Sequence, residues 1–106
     1  MKYLITESKL NQVIFKYLDN QDFIQIDKDN SIYFVYSEDD EYAQIKFNKL
    51  VDACYISDNL IWKISDLFSL HHFDSKTVIG KWIEDTLQVN IVFTLATVYI
   101  NNRRTY

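Results

Sequence analysis

Two adjacent histidines, His71 and His72, with Asp66 and Asp74 nearby, form the one cluster whose residue types suit a metal or acid–base site. Imidazole and carboxylate are ligands for zinc or iron. Neighbouring histidines on a regular element point apart, however, and the chain has no third histidine. A loop between two helices explains the pair without a metal, since histidine is stabilised near the negative end of a helix dipole. The run Glu38-Asp39-Asp40-Glu41 offers carboxylate oxygens to calcium. It lacks the alternating spacing and the glycine of a calcium-binding loop, and reads as a solvated hairpin tip. Cys54, the single cysteine, needs a cationic or helix-N-terminal setting to act as a nucleophile. Its neighbours Ala53, Tyr55 and Ile56 place it in the core instead. The last candidate is a nucleic-acid reader on a helix expected over 75–88. Lys76 and Lys81 would meet phosphates, Ser75 or Thr77 a base edge, and Arg103-Arg104 with Tyr99 and Tyr106 would extend the contact. The same helix carries Glu84 and Asp85, and the connection before it has no turn glycine. No catalytic constellation emerges from the sequence, and no cofactor is expected.

The backbone chemistry supports that reading. The chain has 106 residues with no proline and a single glycine, Gly80. Glycine-rich nucleotide loops and most nucleophile elbows are therefore excluded, because they need φ > 0 or a backbone close to the ligand. Turns fall to Asp and Asn, which tolerate the left-handed region. A net charge of −4, with nine Lys and two Arg, disfavours a broad phosphate-binding surface. One cysteine allows no internal disulfide and fits a reducing cytoplasm. The opening apolar run, Tyr3-Leu4-Ile5, is too short for a signal peptide. The apolar run near Ile91–Ile100 is half the roughly 20 residues of a membrane helix, so no membrane partner is expected.

These residues are positioned by a pattern that switches between helical and strand periods. Leu10, Val13, Ile14, Tyr17 and Leu18 form one helical stripe over 7–19. Three short β-rich segments follow at 23–27, 31–37 and 42–47. Their joins, at Asp27–Asn30 and Glu38–Glu41, are polar, which predicts an antiparallel meander. Within the third, Ala43, Ile45 and Phe47 alternate against Tyr42, Gln44 and Lys46. Residues 49–56 are ambiguous and read as a helical turn. Helices are expected over 58–70, capped by Ser57, and over 75–88, capped by Asp74. The segment Val89–Ile100 reads as one twelve-residue strand, apolar or Thr on both faces. Such a strand belongs in the centre of a sheet or extends into a neighbouring subunit. The whole is a single α+β domain, 1–106: a mainly antiparallel sheet, made of the meander and the long C-terminal strand, packed with three helices.

Eight tyrosines exceed what one small core needs, because a buried hydroxyl must find a partner. Tyr33, Tyr42, Tyr99 and Tyr106 are placed by alternation on strand faces or at the chain end. With the long last strand they suggest a protein–protein surface, most simply a homodimer. The opening Lys2–Leu10, KYLITESKL, resembles the start of short uncharacterised proteins of tailed phages, marine ones in particular. That likeness covers about a tenth of the chain, and no activity or site residue comes with it. The expected function is that of a non-catalytic phage accessory protein in the host cytoplasm, acting by protein contact or self-association. The alternative is a small nucleic-acid-binding regulator using the 75–88 helix and Arg103/Arg104. A metal-dependent hydrolase at His71, His72 and Asp74 is the least favoured.

Overall fold

With one glycine in the chain, the turns are made by other residues forced into the left-handed region. The computed structural model describes residues 7–101. Among them Asp22, Asp29, Asn30, Asp52, Ser69 and Gln88 have φ between 52° and 63°. Four of the six are Asp or Asn, whose short polar side chains make that conformation tolerable. Asp29 and Asn30 are the two central residues of a tight hairpin, and positive φ at both is what matches its twist to the strands. Ser69 and Gln88 end helices, each with its backbone N–H bonded back into the last turn.

Helix α1 (Glu7–Asp19) leads into the hairpin of β1 (Ile24–Lys28) and β2 (Ser31–Val35). Strands β3 (Tyr42–Ala43), β4 (Ile45–Asn48) and β5 (Ala53–Ser57) follow. The chain continues through α2 (Asp58–Phe68), α3 (His72–Leu87), β6 (Phe93–Thr97) and β7 (Ile100–Asn101). The main sheet has the order β1-β2-β4-β5-β6, antiparallel except that β6 runs parallel to β5. A small ribbon of β3 and β7 lies apart from it. This is the α+β architecture that the periodicity implies, three helices on a mostly antiparallel sheet.

All three helices pack on one face of the main sheet. Phe34, Ile45, Phe47, Cys54 and Ile56 meet Ile14 and Leu18 of α1, Leu60, Ile61 and Ile64 of α2, and Ile79, Trp82 and Ile83 of α3. Each such side chain contributes roughly 1.5–3 kcal/mol before chain entropy is subtracted. On the opposite face Tyr33, Val35, Ala43 and Ile100 form a second, smaller cluster beneath the β3–β7 ribbon.

Strand β2 and helix α2 each end two residues short of expectation, at Val35 and Phe68, and larger differences fall in four places. The third meander strand is broken at Gln44, which is held on both sides. Its N–H donates to the Phe34 carbonyl at 2.8 Å and its own carbonyl accepts from the Ser57 N–H at 2.8 Å. The break sends Ala43 to the second cluster while Ile45 and Phe47 stay in the main core. The segment at 49–56 is not a helical turn. Leu50 N–H bonds the Asn48 side chain, Asp52 turns the chain, and strand β5 follows. Helix α3 starts at His72, with His71 rather than Asp74 at its N-cap. Ser75 is buried and shares a 2.7 Å hydrogen bond with Ser65 of α2, so it belongs inside the helix–helix contact.

The twelve-residue C-terminal strand is also not observed. Ile91 N–H is taken by the Glu84 carboxylate at 2.8 Å and Val92 N–H by the Asp52 carbonyl, so pairing in the sheet is confined to Phe93–Thr97. After Val98 and Tyr99 the chain leaves for β3. β6 is therefore an edge strand, not a central one.

Gly80 is spent inside α3, where its backbone sits on β6. A Cβ placed there would lie 2.9 Å from Thr94 Oγ1. Gly80→Ala gains about 1 kcal/mol of helix propensity and costs about 1–3 kcal/mol of overpacking. Thermal melting should show a net loss in the wild-type background. In a Thr94→Ala background the same change should be neutral or stabilising.

Candidate functional site

Among the described residues, one edge of the main sheet is β6, with several exposed apolar side chains on and around it. Val92 donates inward, to Asp52 of the segment leading into β5. In an extended chain the N–H and C=O of one residue point to the same side, and the side alternates along the strand. Val92, however, stands in the bend that precedes the strand. Ser57 donates to Gln44 on the β4 side, so Cys54 and Ile56 of β5 turn toward β6. With Cys54 in register with Thr94, they bond Phe93, Leu95 and Thr97, and Thr94 and Ala96 present their backbone groups outward. Among the described residues, nothing in the main sheet lies beyond this edge. From Ile91 to Ile100 there is no charged side chain. Phe93 is 45% exposed, Leu95 42% and Val92 70%. The other edge, β1, is guarded by Asp27 and Lys28, with Asp27 in an ion pair to Lys49 at 2.8 Å.

The apolar strip continues from β6 across the far face of the sheet. Leu95 is in register with Tyr55 of β5. Tyr55, Thr97, Tyr99 and Ile100 line one shallow cleft together with Lys46. Tyr99 then meets Tyr42, with ring centroids 5.1 Å apart at 35°. Both rings are exposed, Tyr42 at 44% and Tyr99 at 68%.

Of the four tyrosines read as an interaction surface, the fold brings Tyr42 and Tyr99 together. Tyr33 is withdrawn from it. It is buried in the second cluster, where the Lys28 and Lys46 ammonium groups stand 5.1 and 5.5 Å from its ring centroid. Tyr106 lies outside the described residues, as do Arg103 and Arg104. Sequence reasoning missed Phe93 and Leu95, because a strand expected at the centre of a sheet gave no reason to count its side chains as surface.

The nucleic-acid candidates are dispersed. Ser75 is buried, Thr77 donates its hydroxyl to the Phe73 carbonyl at 3.0 Å, and the Lys76 ammonium lies over the Phe73 ring at 5.1 Å. Lys81 is exposed on the same helix. One face of that helix, with Val78, Ile79, Trp82 and Ile83, is committed to the core.

The metal candidates do not converge either. His72 Nε2 lies 3.6 Å from Asp58 Oδ1, and its ring packs on Trp62 at 4.8 Å between centroids. His71 and Asp74 are exposed. Among the described residues no group of three His, Cys, Asp or Glu side chains is placed to hold a metal ion. The acidic tip is structural at Asp40, whose carboxylate accepts the Tyr36 and Ser37 N–H groups, each at 3.0 Å. Burial, and then the Asp40 charge, raise the Tyr36 phenol above its ordinary value. Cys54 is fully buried, and burial followed by the Glu84 carboxylate pushes its thiol up to about 12. A thiol so raised is the opposite of an activated nucleophile. No described helix is long and apolar enough to cross a membrane.

No protein-family model, curated protein or solved structure matches this chain. The site is accordingly defined by geometry alone: an open strand edge, an apolar row beside it, and a tilted pair of tyrosine rings in contact at its end.

Proposed function

We propose that the chain is a non-catalytic accessory protein of the tailed-phage kind, working in the host cytoplasm by protein–protein contact through β6. The observation that carries this reading is the uncharged β6 edge, with outward backbone groups at Thr94 and Ala96 beside the exposed Phe93 and Leu95 side chains. An open edge of this kind templates the addition of another strand, with main-chain bonds for affinity and alternate side chains for selectivity. Tyr42 and Tyr99 extend it with rigid rings that bind at low entropic cost. A nucleic-acid role is less well supported, since Lys76 and Lys81 share their helix with Glu84 and Asp85.

The test replaces Phe93 and Leu95 by Lys together. Both side chains are already close to half exposed, so melting should move by no more than about 2–4 °C. At about 1 μM, where weak pairing is dissociated, the wild type should bind an apolar fluorescent dye such as bis-ANS and the double variant should not. Dye binding unchanged by the two lysines, or a variant that no longer folds, would contradict this surface.

A further inference from the structure

The partner for this edge is written in the chain itself. Resting on the reading above, we infer that β6 pairs antiparallel with β6 of a second copy across a two-fold axis at Thr94, joining two five-stranded sheets into one of ten. An isologous contact must be complementary to itself. A strand without charge meets that condition, because no like charges are opposed at the axis. With the axis at Thr94, Phe93 faces Leu95 of the second copy and Leu95 faces its Phe93. Thr94 turns its own N–H and C=O outward, so it pairs with Thr94 of the second copy through two hydrogen bonds, and Phe93 and Leu95 fall in the flanking pairs whose side chains lie closer together. Ring and aliphatic side chains then stack on the exposed face.

Helix α3 supplies an independent reason for the same register. It packs on both β5 and β6, and Gly80 sits directly over Thr94. Strands lie about 4.8 Å apart, so two such helices would run side by side at roughly 10 Å, a normal packing distance. A two-fold axis beside Gly80 sets Lys76 of each copy against Glu84 of the other, since the two residues flank Gly80 by four positions each. Lys76 and Glu84 line the groove between α3 and β6 with Phe73, which is 67% exposed and would be covered by the second α3. Backbone register, apolar pairing and charge thus select one arrangement. One strand pair with one helix pair is a modest interface, so dissociation should fall at about 1–100 μM.

Sedimentation velocity from about 0.5 to about 200 μM tests it. The wild type should shift from monomer to dimer over that range. Leu95→Lys should weaken dimerisation at least about tenfold. Lys76→Glu, which sets two carboxylates against each other, should weaken it by a similar factor and respond to added salt. Lys63→Glu, on α2 away from the axis, should leave it unchanged. Dimers that survive Leu95→Lys, or that ignore Lys76→Glu, would use another surface and overturn the proposal. A wild type that stays monomeric throughout also overturns it. If that monomer still binds the apolar dye at β6, the contact surface stands and its partner is a different chain; without dye binding, both fall.

Discussion

Trp82→Ala should remove about 3–5 kcal/mol of stability, a large share of the roughly 5–15 kcal/mol that holds a domain of this size. Trp82 is buried where α1, α3 and the sheet meet. Its ring centroid is 5.6 Å from that of Phe34 and 5.9 Å from that of Phe23. Its indole N–H donates to Asp19 Oδ1 at 2.9 Å, tying α3 to the end of α1. Truncation leaves a cavity among rings too rigid to collapse into it. Trp82→Phe should cost much less, because the packing largely remains and the freed Asp19 carboxylate is exposed to water. Chemical denaturation read by fluorescence checks both variants. Trp62 is 54% exposed, so the blue-shifted part of the native emission belongs to Trp82 and should vanish with it.

The second large effect is alkaline. The Cys54 thiol ionises at about 12 in the folded chain against an ordinary 9.0. Below pH 9 it is protonated both folded and unfolded, and its contribution to stability is fully present. Above that the unfolded thiol loses its proton while the buried one cannot, and unfolding is favoured by about 1.4 kcal/mol per pH unit. The loss continues until pH approaches 12 and comes to about 4 kcal/mol across the window. Cys54→Ala gives up some packing at neutral pH, but its stability should fall less steeply between pH 9 and 11. Equal slopes for the two proteins would contradict the assignment. The same burial predicts that a thiol reagent at pH 8 labels Cys54 only on unfolding.

Much of the fold was legible because its signals are local. The stripes Leu10–Leu18 and Leu60–Phe68 obey the helical period, Ser57 caps α2 through its hydroxyl to Leu60 N–H, and Asp29–Asn30 carry the hairpin that their side chains permit. What was not legible depends on contacts far apart in sequence. Gln44 breaks a strand because Phe34 and Ser57 claim its backbone. Residues 89–92 read as strand, yet Glu84 and Asp52 take the amides of Ile91 and Val92. Tyr33 and Tyr42 look equivalent by alternation. The β3–β7 ribbon buries the first and leaves the second beside Tyr99, and no local pattern encodes where that ribbon lies. An uncharged apolar run carries one signal whether it is central or at an edge, so the sequence left open whether this strand lies inside the sheet or reaches toward a neighbouring subunit.

Site-resolved amide hydrogen exchange along β6 is the most direct measurement of whether recognition resides in this edge. In a dilute monomer the Phe93, Leu95 and Thr97 amides should be protected, and those of Thr94 and Ala96 should exchange rapidly. The latter two should slow as concentration rises or a partner binds. Protection of all five amides in the dilute monomer would show the edge already covered, and would contradict the account.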